Sequence, residues 1–232
     1  SGAFGGDGTD GILNVTSGTT TISLASTNIV VKNYTSINVS AGAVLTFSNP
    51  PTDGSLIVLK SRSTCNIAGT INASGMGANT STRAFGLLES AQAYNAAVTN
   101  TYLYANVAYK LWAGQFALAM GSGGEGNANA SSSGRGGANL RIECADSVVF
   151  TGTINVNGVA GATGTAATAT SGGGGGGGAG GGGGSFLGLA NRVVTNSGSV
   201  TFAGGVGGQG GAGICSTNSN ADGNGRSGAI GG

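Results

Sequence analysis

The groups that could do chemistry near neutral pH are few in this 232-residue chain: eight Asp and Glu, three Cys and no His. Without His the commonest general base and the commonest metal ligand are both missing. A glycosidase would need two carboxylates flanking one bond, and no such pair stands out from the spacing. The expectation is a protein that is not an enzyme and carries no cofactor or metal. Asp7 and Asp10 sit among glycines in SGAFGGDGTDGILNV. They could contribute to a Ca²⁺ site, but that ion takes about six to eight oxygens, so turns capped by Asp are the expected role. Cys65, Cys144 and Cys215 are an odd number, too far apart for a zinc motif. They are expected to be small buried hydrophobes, with one disulfide plus a free thiol as the alternative. What remains is recognition chemistry. Tyr102, Tyr104, Tyr109 and Trp112 carry the aromatic surface that dominates protein contacts. Asn218, Asn220, Asp222 and Arg226 form a polar terminal loop, and Ser122 to Arg135 forms another. The first two sets are the candidate receptor or subunit contacts.

The scaffold that must hold these groups is unusual in composition. Gly fills 50 positions and Pro only two, Pro50 and Pro51, while charged residues are 7% and hydrophobic ones 39%. Disordered chains are generally rich in charge and poor in apolar residues. The reverse balance here predicts one compact, ordered, elongated domain over 1–232. The net charge of +1, from scattered cations, leaves no basic stripe for phosphates, so a nucleic-acid partner is not expected. The chain begins at Ser1, which reads as a processed or cut product, and no signal peptide is visible. Six N-x-S/T sequons begin at Asn14, Asn33, Asn38, Asn72, Asn79 and Asn129. They matter only in a source that glycosylates secreted proteins.

An internal repeat organises the rest. LIVLKSRSTCNIAGTINASGMGA (56–78), LRIECADSVVFTGTINVNGVAGA (140–162) and FLGLANRVVTNSGSVTFAGGVGG (186–208) align, and NIVVKNYTSINVSAGAVLTFS (28–48) is a fainter copy. Each clear copy has an apolar run, then a Gly (Gly69, Gly152, Gly198) before an alternating segment, then glycine. The alternation places Ile71/Ala73, Ile154/Val156 and Val200/Phe202 inward on short half-buried strands. Four strand–turn–strand units predict an all-β fold, either β-solenoid-like, with each unit covering its neighbour, or an irregular antiparallel sandwich.

The glycine tracts follow the copies. SGGGGGGGAGGGGGS spans 171–185, and GGVGGQGGAG spans 204–213 with its triplets in phase. A polyproline-II-type helix has about three residues per turn and no internal hydrogen bonds. Strands of it made from Gly can approach closely and pair their buried N–H and C=O groups with one another. A lone glycine linker stays flexible, and ordering Gly costs the most backbone entropy of any residue. Several tracts returning to apolar strands predict a bundle of packed polyglycine-II-type helices. Residues 83–120 break this pattern as an inserted segment. Within 86–119, apolar residues recur at helical spacing from Leu88 through Tyr102 and Tyr109 to Phe116, which predicts a helical insertion. Asn106, Lys110 and Gln115 interrupt every window long enough to span a bilayer, so membrane insertion is not expected.

The opening FGGDGTDGILNVTSGTTTI, with INVSAGAVLTF, CNIAGTINASGMGA and the polyglycine tract, resembles glycine-rich proteins of bacteriophages and bacterial surfaces. The glycine-rich half is similar to the adhesins at the tips of phage tail fibres. That resemblance implies a layered bundle of polyglycine helices whose end loops contact host receptors. By position, those loops are the aromatic insertion, 122–135 and 218–226. The implied function is an extracellular adhesin on a virion or cell surface, recognising a surface glycan or protein. A structural subunit of an extracellular filament or virion assembly, a homo-oligomer, is the alternative. Residues 86–119 and TSGTTTISLAST would then be the contacts between subunits. A third reading is an ice-binding protein presenting rows such as Thr19 to Thr21 and Thr165 to Thr170.

Overall fold

The computed structural model describes residues 4–52, 54–79, 134–166, 177 and 180–211. These form fourteen strands: β1 (Ile12–Val15), β2 (Thr19–Ser23), β3 (Ile29–Tyr34), β4 (Ser36–Val39), β5 (Val44–Ser48), β6 (Leu56–Ser61), β7 (Cys65–Ile67), β8 (Thr70–Asn72), β9 (Asn139–Cys144), β10 (Val148–Phe150), β11 (Thr153–Asn155), β12 (Ser185–Ala190), β13 (Val194–Asn196) and β14 (Ser199–Thr201). The strands make three sheets, ordered β1-β4-β7-β10-β13, β14-β11-β8-β5-β2 and β12-β9-β6-β3. The chain therefore visits the first, second and third sheets in rotation, and each strand pairs with the strand three places on. Every pairing is parallel. The antiparallel alternative is thereby set aside.

Alternation explains the core. Leu13, Ile37, Cys65 and Val148 stand in one register column and are all buried. So are Leu45, Ile71 and Ile154 in the second sheet, and Ile57, Leu140, Leu59 and Ile142 in the third. Parallel in-register stacking puts these inward apolar side chains on apolar neighbours in the next circuit. At about 1.5–3 kcal/mol for each large apolar side chain fully buried, these columns supply the drive for folding. Ile71/Ala73 and Ile154/Val156 point inward as the alternation requires. Phe202 is 48% exposed, because among the described residues no further circuit covers it. Ile57 pairs with Leu140 in the same register that sets Thr70 on Thr153.

The step between paired residues is 24 from Asn14 to Asn38 and 28 from Asn38 to Asn66. It becomes 83 from Ser74 to Asn157 and 46 from Thr153 to Ser199. Insertions thus change the spacing and leave the register intact. Two strands precede the copies read from sequence: β1 and β2 lie in 12–23, and with β3, inside the 28–48 copy, they complete the first circuit.

The three cysteines are not all unpaired hydrophobes. Cys65 on β7 and Cys144 at the end of β9 are joined in a disulfide, with Cα atoms 6.0 Å apart and both residues fully buried. They face each other where the third sheet turns into the first. Cys215, like the predicted helix at 86–119, lies outside the described residues.

Candidate interaction surface

Both insertions leave at one place. Residues 80–133 fall between β8 of the second sheet and β9 of the third, and residues 167–176 fall between β11 and β12 of the same two sheets. The C-terminal segment follows β14, again in the second sheet. The chain entering and leaving these stretches is glycine-rich, and at this corner its backbones lie side by side. Gly158, Gly161 and Gly164 donate their N–H groups to the carbonyls of Ala203, Val206 and Gln209, at 2.8, 2.9 and 2.7 Å. Gly181 and Gly184 donate to Val159 and Val156, Gly205 donates to Gly181, and Gly137 donates to Gly182. Gly77 donates to Gly136, and Gly136 donates to Ala78. The bonds recur at every third residue from Gly158 to Gly164 and again at Gly181 and Gly184, whereas a strand alternates with a period of two.

The same triplet governs space. A Cβ built on Gly205, Gly208 or Gly211 would overlap the carbonyls of Val159, Ala162 and Thr165. One on Gly177, Gly180 or Gly183 would overlap those of Gly208, Gly205 and Phe202. Side chains appear where there is room, as at Val206 and Gln209, which are exposed. The phase of GGVGGQGGAG is therefore a packing requirement.

Arg135, at the root of the first insertion, ties this corner to the sheets. Its Nε donates to the Gly75 carbonyl at 3.0 Å, and its Nη2 donates to Gly77 at 2.9 Å and to Pro51. Burial pulls the guanidinium below its usual pKa. Three backbone carbonyls satisfy a cation for which no carboxylate partner is needed.

The opposite corner is held by the opening segment. Gly5, Gly6, Gly8 and Gly11 all have φ between 75° and 81°. Side chains at the first three would collide with Ala145, Asn33 and Thr35 respectively, so the FGGDGTDG run can lie along the joint between the third and first sheets. Asp7 accepts from the Thr9 N–H at 3.0 Å and from its hydroxyl at 2.8 Å, which hold the carboxyl below its usual pKa. Asp10 accepts the Asn33 N–H at 2.6 Å and pairs with Lys32 at 3.3 Å. Both aspartates thus serve turns and an exposed strand edge. Among the described residues, no three His, Cys, Asp or Glu come together as a metal cluster.

Two further polar features escaped the sequence reading. Asn66 donates to Asn38 at 3.0 Å and Asn38 to Asn14 at 2.8 Å, a ladder on the outer face of the first sheet. On the outer face of the third sheet, buried Glu143 pairs with Lys60 at 3.1 Å and with Arg141 at 2.7 Å. Register is the signal for both, and for Lys60 and Glu143 it becomes visible only once the first insertion is subtracted. The contact candidates Tyr102, Tyr104, Tyr109, Trp112, Asn218, Asn220, Asp222 and Arg226 all lie outside the described residues. So do the loop up to Ser133 and, at the end of the second threonine row, Thr168 and Thr170. No helix among the described residues is long and apolar enough to cross a membrane.

No family model, no curated protein and no solved structure matches the chain.

Proposed function

We propose that this is a non-enzymatic extracellular adhesin, a phage tail-fibre or cell-surface part whose receptor is a surface glycan or protein. In this reading the three sheets are one parallel β-solenoid, and the glycine segments pack beside it as polyglycine-II-type helices. The observation that carries it is the common exit. The stretches holding Tyr102, Tyr104, Tyr109 and Trp112, and Asn218, Asn220, Asp222 and Arg226, both continue from glycine segments at the corner between the second and third sheets. Packed glycine backbones make a stiff base from which variable loops can meet a receptor without each needing its own core. A Cys65–Cys144 disulfide suits an oxidising compartment outside the cytoplasm. The near absence of charge argues against nucleic acid as a partner.

The test is binding of the labelled full chain to a panel of bacterial surfaces, beside the variant Tyr102→Ala/Tyr109→Ala/Trp112→Ala. Saturable binding to particular surfaces, weakened at least tenfold in the variant, is expected. Binding to none, or equal binding by the variant, overturns the assignment of those residues. A second reading, a structural subunit of an extracellular assembly, is favoured by the ends of the stack.

A further inference from the structure

Among the described residues, the first and last circuits have no neighbouring strand on one side. Strands β1 and β2 end the first and second sheets at one end of the stack, and β13 and β14 end them at the other. Unpaired edge strands offer rows of N–H and C=O groups to another chain, and repeat proteins ordinarily close their ends with polar caps. Here the large exposed hydrophobics among the described residues gather at the ends. Ile12 is 70% exposed on β1, and at the far end Val193, Val194 and Phe202 are 56%, 55% and 48% exposed. Ile29 and Val31, 50% and 44% exposed, lie on β3, the end strand of the third sheet on the same side as Ile12, and the strands between the two ends contribute none until the glycine segment that follows β11.

Register shows what the ends fit. Carrying the pairing of the first sheet one residue outward aligns Ile12 with Ser36, Thr64, Ser147 and Val193. That column is polar in its interior and apolar at both termini. Leu13 and Val194 end the adjacent inward column. In the second sheet, extending the pairing past β14 places Phe202 in the column that Ile22 ends. A second copy translated along the stack would set Val193 on Ile12, Val194 on Leu13 and Phe202 on Ile22. The edge of β13 and β14 would meet that of β1 and β2 with the same polarity and register. The third sheet is excluded from the junction at one point, because Asp10 already occupies the Asn33 N–H and C=O at the outer edge of β3.

We propose that the two ends of the stack are complementary docking surfaces for further copies of this chain, joined head to tail through the first and second sheets. The contact is heterologous and does not close on itself, so it generates linear chains and not discrete dimers. It stands apart from receptor binding, since either property can be measured where the other is absent.

The experiment is sedimentation velocity of the full chain over a concentration series, with electron microscopy of the same samples. It is done for the wild type, for Ile12→Lys and for Val194→Lys, both substitutions at exposed positions. Circular dichroism and the unfolding midpoint confirm that each variant is folded, and Val193→Lys replaces Val194→Lys if the latter is not. The wild type is expected to grow into unbranched chains with concentration, and each variant alone to stay monomeric. An equimolar mixture of the two variants should form heterodimers and stop, because each retains the end the other has lost. A wild type that stays monomeric at every concentration overturns the proposal. So do variants that assemble like the wild type, or a mixture that stays monomeric.

Discussion

Tyr34 closes β3 with its ring in the core, and burial, helped by the nearby Asp10 charge, pushes its hydroxyl up to about 12. An unfolded tyrosine ionises near 10. Between those values the unfolded chain has released a proton that the folded chain still holds, so the unfolded state binds fewer protons and stability falls as pH rises. Below about pH 10 both states keep the proton and the residue contributes no pH dependence. Urea midpoints measured from pH 9 to 12 should therefore decline, and Tyr34→Phe should flatten the part of the decline due to this residue. An identical slope in the variant would place the sensitivity elsewhere. Asp10 illustrates how much a single residue can hide from a sequence. Its neighbours in GGDGTDG say turn, but its contact with Asn33 depends on a pairing 23 residues away, and nothing local encodes that distance.

At the scale of elements, the glycine segments decide whether the insertions are tethered or free. Gly208 and Gln209 are adjacent in sequence and opposite in environment: a Cβ on the first overlaps the Ala162 carbonyl, and the second is exposed. Gly208→Ala must push two backbones apart and disturb the neighbouring bonds from Gly161 and Gly164. Overpacking of this kind costs roughly 1–3 kcal/mol, whereas Gln209→Ala should change little. Hydrogen exchange at Gly161 and Gly164 reads the difference directly. Faster exchange is expected only in Gly208→Ala, and equal exchange in both would sink the idea that the triplet is a packing constraint. The triplet phase was legible in GGVGGQGGAG, and strands β6 to β14 were legible in the three aligned copies, which carry Gly-Thr-Ile-Asn at β8 and β11 and Gly-Ser-Val-Thr at β14. The first circuit was harder to read. Its β1 and β2 share no Gly-Thr-Ile-Asn signature, and Thr19 to Thr21 look like a polar row until their partners Val44 to Thr46 are known. The candidate contacts were chosen by residue type and by their place after glycine segments, and type alone carries no register to fix where a side chain goes.

For the whole molecule, the long first insertion poses a mechanical problem that the cysteines answer. Between β8 and β9 the chain departs over residues 80–133 and must return in register. Parallel pairing alone gives it no local guide, because the strands that must meet are far apart in sequence. The disulfide joins Cys65, before the departure, to Cys144, after the return, and closes a separation of 79 residues around the entire insertion. Its role is then to restrict the unfolded chain more than to add contacts, since each sulphur already lies among buried apolar residues. Constraint of a loop this long is worth roughly 2–4 kcal/mol. Cys65→Ala/Cys144→Ala should lower the free energy of unfolding by that amount and the denaturant midpoint with it, the slope of the transition should rise because the unfolded chain is no longer cross-linked, and refolding should slow. The wild type unfolded and refolded under reducing conditions should behave in the same way. A variant that refolds as fast and as stably as the oxidised protein would mean that the in-register columns on either side find each other unaided.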